Sequence, residues 1–115
     1  MLTTEKLKAY GAKVDEGLSR CMNNETFYLR LVNMAIGDAS FDRLENAVKS
    51  GNIREIFEAS HALKGMLGNL ALTPIVDAVS EMTELARAET AADYAALWEK
   101  IRTDRDLLKK MQAEA

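Results

Sequence analysis

The chain has 115 residues, of which 48% are hydrophobic and 29% are charged, a composition typical of one soluble globular domain and not of a disordered chain. Its 15 basic and 18 acidic residues give a net charge of −3, which disfavours nucleic acid as a partner because phosphate contacts need a basic surface. The single cysteine, Cys21, excludes an internal disulfide, and one histidine cannot supply the paired ligands of a metal site, so we expect no bound metal.

The first third of the chain predicts two short helices followed by a longer one. One proline and six glycines in a chain rich in helix-forming residues favour helix throughout. The first short helix begins near Thr3 or Thr4 and ends at Gly11, and the second covers about residues 15–22. The longer helix begins at Asn23 or Asn24 and runs to about residue 37. Its apolar residues with helical spacing are Phe27, Leu31, Met34 and Ala35.

The rest of the chain predicts four longer helices joined by short connections. Their approximate ranges are 40–51, 52–70, 74–88 and 94–111. Ser40 and Asn52 suit N-caps, and Thr73-Pro74 places an N-cap residue before a proline at the first helical position. Short connections make neighbouring helices antiparallel. We therefore expect an all-α, antiparallel up-and-down four-helix bundle with short extra N-terminal helices, forming a single domain over residues 1–115 with a bundle core at about 23–111.

The segment from residue 52 to residue 72 has two distinct faces when it is drawn as a helix with about 100° per residue. One face is apolar and consists of Ile56, Ala59, Leu63, Met66, Leu67 and Leu70. His61 lies directly opposite it. The residues within roughly 60° of His61 are Arg54, Phe57, Glu58, Lys64, Gly65, Gly68 and, if the helix persists, Leu72.

This placement makes His61 a candidate site residue. A lone histidine is usually a packing residue, but the position opposite the apolar face excludes the core. Gly65 and Gly68 each cost about 1 kcal/mol relative to alanine in a helix. They either allow a neighbouring helix to pack closely or leave room for a phosphoryl group or a partner backbone beside the imidazole. Lys64, one turn away, is either a solvated charge or an electrostatic partner for that group.

The run at residues 61–65, histidine-alanine-leucine-lysine-glycine, is followed by Gly68 and Asn69. It resembles the signature of histidine-containing phosphotransfer (HPt) domains, which is histidine, any residue, an apolar residue, lysine and glycine. The segment from Val14 to Leu31 also resembles the N-terminal part of these domains, so the resemblance covers about residues 10–110. Met66 and Leu67 depart from the small residues that the family often has there, but the helical wheel directs both toward the core.

The resemblance implies a phosphoryl carrier without autonomous kinase activity. His61 is then the phosphoacceptor, carrying the group on Nε2, while Lys64 stabilises the transferring charge and Gly65 and Gly68 leave room. The implied partners are response-regulator receiver domains and a hybrid sensor histidine kinase. The receiver supplies the magnesium, so we expect no cofactor on this chain. We also expect a cytoplasmic protein, because no signal peptide and no apolar run of about 20 residues is present, and a monomer, because no strict heptad seam remains outside the bundle.

The docking surface for the receiver is expected to be the His61 face with the flanking helix at about residues 27–37. An apolar patch at Phe57 and Leu72, rimmed by Arg54, Glu58 and Lys64, would form its centre. Two alternatives remain at this point: the phosphoacceptor domain of a chemotaxis-type histidine kinase, and a helical adaptor without phosphotransfer.

Overall fold

The computed structural model describes residues 1–114, which form seven helices and no strand. The helices are α1 (Thr4–Tyr10), α2 (Val14–Arg20), α3 (Glu25–Ile36), α4 (Ser40–Ser50), α5 (Ile53–Asn69), α6 (Thr73–Arg87) and α7 (Tyr94–Ala113). The predicted all-α fold is confirmed. Within this range no helix is both long enough and apolar enough to cross a lipid bilayer.

Short polar side chains and glycines set most of the helix ends. The side chains of Asn24 and Asn52 accept hydrogen bonds from the backbone N–H groups at the start of α3 and α5, at 3.0 and 3.1 Å. Thr3 does the same for α1 at 3.1 Å. Gly51 closes α4 in the left-handed conformation with φ 71°, which glycine adopts without steric cost. These four caps lie where the sequence predicted helix ends.

Two predicted N-caps are wrong by one residue. Ser40 and Thr73 are the first helical residues of α4 and α6, and neither caps its own helix. Before α4, the carboxylate of Asp38 accepts the hydrogen bond from the Ser40 backbone N–H at 2.8 Å. The Thr73 hydroxyl instead donates to the carbonyl of Ala71 at 3.4 Å. Neither hydroxyl therefore accepts the backbone hydrogen bond that the capping rule assigned to it: Asp38 provides the acceptor before α4, and the Thr73 hydroxyl acts as a donor.

Helices α4 to α7 form the bundle, with α5 in close contact with α6 on one side and α4 on the other. Helix α7 closes the bundle against α6 and α4, and α3 packs on α7. The core side of α5 consists of Ile56, Ala59, Leu63 and Leu67, all at most 2% exposed. This is the face that the helical wheel predicted, apart from Met66, which lies half-buried at its edge.

Helix α3 buries a different face from the one its predicted spacing suggests. Its buried side chains are Tyr28, Val32, Ala35 and Ile36. Phe27 and Met34 are 38% and 66% exposed. Helix α3 has apolar residues on more than one face, so their spacing alone does not determine which face packs against the core.

The N-terminal helices hold the C-terminal end of α5. Arg20 of α2 donates to the carbonyls of Gly68 and Asn69, at 2.9 and 3.2 Å. The buried hydroxyl of Tyr28 donates to the carbonyl of Leu70 at 2.9 Å. These bonds satisfy carbonyl groups that a helix end leaves without partners. A Cβ at Gly17 would clash with the Tyr28 ring and lie 2.9 Å from the same Leu70 oxygen, so glycine permits the close approach of α2 to both.

Candidate functional site

His61 lies in the middle of α5, on the side that faces solvent. Its side chain is exposed, while Ser60 beside it is buried. Within residues 1–114, no hydrogen bond to the imidazole is formed; the Ser60 hydroxyl donates instead to the Ile56 carbonyl at 2.6 Å. A neutral imidazole in this position has a nitrogen lone pair open to an electrophile.

The imidazole stacks on the ring of Phe57, one helical turn before it. The two ring centroids are 5.4 Å apart and the planes differ by 13°, within the range of offset aromatic stacking. The guanidinium carbon of Arg87, from α6, lies 5.1 Å from the Phe57 centroid. Phe57 therefore contacts the imidazole on its own helix and a cation from the neighbouring one.

A carboxylate on α6 holds two of the cations near His61. Glu84 accepts from Lys64 Nζ at 3.4 Å and lies 3.5 Å from Arg87 Nε. All three side chains are at least one-third exposed, so each pair is weak and exchangeable. Lys64 thus lies beside the His61 face as predicted, with a counter-ion that the sequence prediction did not name.

On the opposite flank, the predicted docking residues Arg54 and Glu58 belong to an ion-pair network with α4. Arg43 of α4 contacts Glu55 at 2.8 Å and Glu58 at 3.1 Å. Glu58 is also 3.6 Å from Arg54. The hydrogen bond from Arg43 is the main reason that the pKa of Glu55 is lowered. The network ties α4 to the exposed side of α5.

Gly65 and Gly68 border open space. A Cβ built on either residue meets nothing within 4 Å among the described residues, leaving aside the backbone of its own helix. Close packing of a neighbouring helix therefore does not explain these glycines, and one of the two interpretations open at the sequence level is removed. The space beside His61 is free for a group from outside the chain.

Leu72 does not belong to this surface, so its predicted docking role is wrong. It is 0% exposed and belongs to the core. The wheel placed Leu72 near His61 only if the helix continued, but α5 ends at Asn69 and Ala71 adopts the left-handed conformation with φ 57°. The reversal of the chain at Ala71 turns Leu72 inward. The structure brings Arg54, Phe57, Glu58, Lys64, Gly65 and Gly68 together around His61, and Leu72 alone is excluded.

An apolar groove of about 250 Å³ lies between α3 and α5, next to the His61 face. The side chains along it are Leu31, Met34, Ala35, Asp38, Met66, Asn69 and Leu70. Met66 and Asn69 lie five and eight residues beyond His61, which places them about 140° and about 80° around α5 from it, so the groove lies on the α3 side of the helix and not on the face that carries the histidine. The flanking helix predicted at residues 27–37 provides its other wall.

The sequence does not reveal Glu84 and Arg87 as site residues, because both lie on α6 and reach the site only through packing. Their spacing of three residues places them on one face of α6, but nothing in that spacing reveals that this face borders Phe57 and Lys64. The stacking of Phe57 on His61 was also missed, although their spacing of four residues makes them neighbours.

Comparison with known protein families places this chain beside a described family. A family model described as the Hpt domain matches residues 37–114, well over half of the chain. The matched part contains α4 to α7, including His61, and excludes α1 to α3, so it does not extend to the upstream segment in which the sequence also suggested a resemblance. Neither the curated proteins nor the solved structures contain a significant match to this chain.

Proposed function

Because this chain belongs to the Hpt domain family, whose members are phosphocarrier modules of two-component signalling that interact with receiver domains, we propose that His61 relays a phosphoryl group between the aspartates of two receivers. The first receiver would belong to a hybrid sensor histidine kinase. The chain itself would contribute the carrier and no kinase activity.

The proposed step is an in-line transfer. A nitrogen lone pair of the neutral imidazole attacks phosphorus, the phosphorus–oxygen bond to the receiver aspartate breaks, and the aspartate leaves as a carboxylate. The second ring nitrogen keeps its proton, so the product is a phosphorylated imidazolium. The same step in reverse delivers the group to the next receiver. Magnesium would be held by the receiver and not by this chain.

The single observation that carries the proposal is the open space around an exposed histidine. Gly65 and Gly68 lower the stability of the helix, yet no described neighbour lies close enough to either position to require glycine there. That cost is explained if a partner's backbone or phosphoryl group must come close to His61. An adaptor helix would gain stability from alanine at both positions, so this observation disfavours the adaptor alternative.

The charges around His61 suit a dianionic phosphoryl group. Lys64 lies one turn from the histidine and is held only by an exposed ion pair of 3.4 Å with Glu84. A phosphoryl group on His61 would compete with Glu84 for this ammonium, because the phosphoryl carries more negative charge than the carboxylate. Lys64 would thereby stabilise the charge that arrives with the transferred group.

The proposed docking surface joins the His61 face to the groove between α3 and α5. Its polar part contains Arg54 and Glu58, and its apolar part contains Phe57 and the groove residues Leu31 and Met66. We commit to a receiver domain as the occupant, because members of the family interact with receiver domains and the groove borders the C-terminal part of the helix that carries His61. Small interfaces of this kind suit transient complexes.

The test is incubation of the chain with phosphorylated receiver domains and with isolated kinase domains, comparing the wild type with His61→Gln. Acid-labile, base-stable label on the wild type and none on the variant supports the proposal. Label that persists on His61→Gln, or never appears on the wild type with any donor, refutes it. Label from a kinase domain but from no receiver would favour the chemotaxis-type alternative instead.

A further inference from the structure

We propose that Phe57 is a positioning residue that fixes the plane of the His61 imidazole, and that Arg87 in turn holds Phe57. The proposal rests on the proposed function of His61 and concerns how that histidine is kept ready to react. It is argued from the contacts of the imidazole, from the geometry of the stack and from the link to α6.

The contacts of the imidazole leave Phe57 as the group that orients it. The ring is exposed, and the described part of the chain offers it no hydrogen bond, since Ser60 donates to Ile56 and Lys64 donates to Glu84. An exposed side chain without a partner samples several rotamers. The parallel stack on Phe57 is the contact that restricts this sampling.

The geometry of the stack is compatible with transfer. The lone pair that attacks phosphorus lies in the plane of the imidazole ring, whereas Phe57 lies against its face, with planes 13° apart. Stacking therefore covers one face of the ring and leaves its nitrogen edge free. Holding a nucleophile near the direction of attack accelerates a reaction because less orientational freedom remains to be lost.

The link to α6 fixes Phe57 itself. The ring is half-buried beneath the exposed surface, packed against the core, and the Arg87 guanidinium lies 5.1 Å from its centroid. Arg87 is also 3.5 Å from Glu84, which accepts from Lys64. A chain of contacts thus runs from the imidazole through Phe57 and Arg87 back to the lysine beside it.

The experiment compares Phe57→Leu, which keeps an apolar side chain but removes the ring, with Phe57→Tyr, which keeps the ring. Because His61 is the only histidine, its imidazole proton resonances need no further assignment. The stack predicts that these resonances are shifted upfield in the folded protein relative to the chain in urea. Phe57→Leu should lose most of that shift, and Phe57→Tyr should retain it.

The second readout is phosphorylation by phosphoramidate, a small donor that requires no docking surface. The imidazole nitrogen forms a bond to phosphorus, the donor's phosphorus–nitrogen bond breaks, and the leaving group takes up a proton to depart as ammonia. Phe57→Leu should slow this reaction several-fold, and Phe57→Tyr should react at nearly the wild-type rate. Arg87→Gln should lose part of the reaction rate and part of the upfield shift of the imidazole resonances.

Three outcomes would overturn the proposal. The first is a wild-type imidazole with the same resonances folded and unfolded. The second is Phe57→Leu with unchanged shift and unchanged phosphoramidate rate but slower transfer from a receiver, which would make Phe57 a docking residue only. The third is Phe57→Tyr behaving like Phe57→Leu. If the stack is present and phosphoramidate labels His61, yet no receiver or kinase domain does, the proposed function fails while the positioning role stands.

Discussion

Replacement of Gly65 by alanine is expected to stabilise the protein while it slows phosphotransfer. Gly65 lies in the interior of α5, and an added Cβ meets no described atom within 4 Å beyond its own helix. The free energy of unfolding should therefore rise by about 1 kcal/mol, because alanine favours the helix more than glycine does and causes no overpacking here. For a domain of this size that gain corresponds to an increase in Tm of about 4 °C.

The expected loss of transfer follows from the position of the new methyl group. Side chains four residues apart on a helix have Cβ atoms about 5–6 Å from each other, so the methyl lies beside the imidazole on the approach side. Displacement of a reacting group by about 1 Å can cost a factor of about 100. We expect transfer from a phosphorylated receiver to fall by about 10- to 100-fold, and reaction with phosphoramidate to fall less because that donor is smaller.

The assay pairs urea unfolding with the rate of label transfer from a receiver, and Thr103→Ala provides the control. Thr103 is exposed on α7, where alanine also improves helix propensity, so this variant should gain stability and transfer at the wild-type rate. If the Gly65→Ala protein is more stable than the wild type but transfers the label at the wild-type rate, the open space does not serve a partner. If the Gly65→Ala protein is less stable than the wild type, the added methyl group does not fit the space beside α5 as the structure indicates.

Two further predictions concern the anchoring of α5. Burial raises the pKa of Tyr28 to about 12 from its usual value near 10. The neutral phenol therefore stabilises the fold below about pH 10, and up to about 3 kcal/mol of the free energy of unfolding is lost as the pH rises toward 12. Tyr28→Phe should lower the free energy of unfolding by about 1–2 kcal/mol at pH 8, because it removes the hydrogen bond to Leu70. Between pH 8 and pH 11, urea unfolding should show a smaller loss of stability for this variant than for the wild type. Equal losses in the two proteins would contradict this explanation. Gly17→Ala should lower the free energy of unfolding by up to about 2 kcal/mol in the same assay, because overpacking against the Tyr28 ring and the Leu70 carbonyl exceeds the helical gain; wild-type stability would show that α2 moves aside at little cost.

Local rules predicted the helix ends well wherever one residue decides the outcome. Asn52 caps α5 because its side chain accepts from the N–H of Glu55. The capping rule failed at Ser40, where Asp38 supplies a stronger, charged acceptor two residues earlier. Such competition depends on the path of the loop, which sequence spacing does not specify.

The candidate site was predictable as far as one helix determines it. The exposed His61 and the glycines on its face follow from the period of α5 alone. Leu72 was misplaced because the same period was extended past the actual end of the helix at Asn69. Glu84 and Arg87 were missed because their place beside the site is set by the packing of α6 on α5, a relation that no single-helix pattern contains.

Helix α5 has low intrinsic helical stability because of its two glycines, and hydrogen bonds stabilise it at both ends. Those at its C-terminal end come from residues outside the region matched by the family model. Its two glycines cost about 2 kcal/mol together. The Asn52 cap returns about 1 kcal/mol at the N-terminal end. At the C-terminal end the carbonyls of Gly68, Asn69 and Leu70 accept from Arg20 and Tyr28, and each such bond contributes about 0.5–1.5 kcal/mol.

The attachments at the C-terminal end come from α2 and α3, which precede the family match at residues 37–114. They bond to the backbone of α5 and leave the side-chain face around His61 uncovered. A side chain placed over Gly65 or Gly68 would have supplied the same stability but would have occupied the space that a partner needs. The N-terminal helices therefore stabilise the end of α5 from a direction that keeps its reactive face open, and loosening them through Tyr28 or Gly17 should affect transfer only as far as it frays the end of the helix.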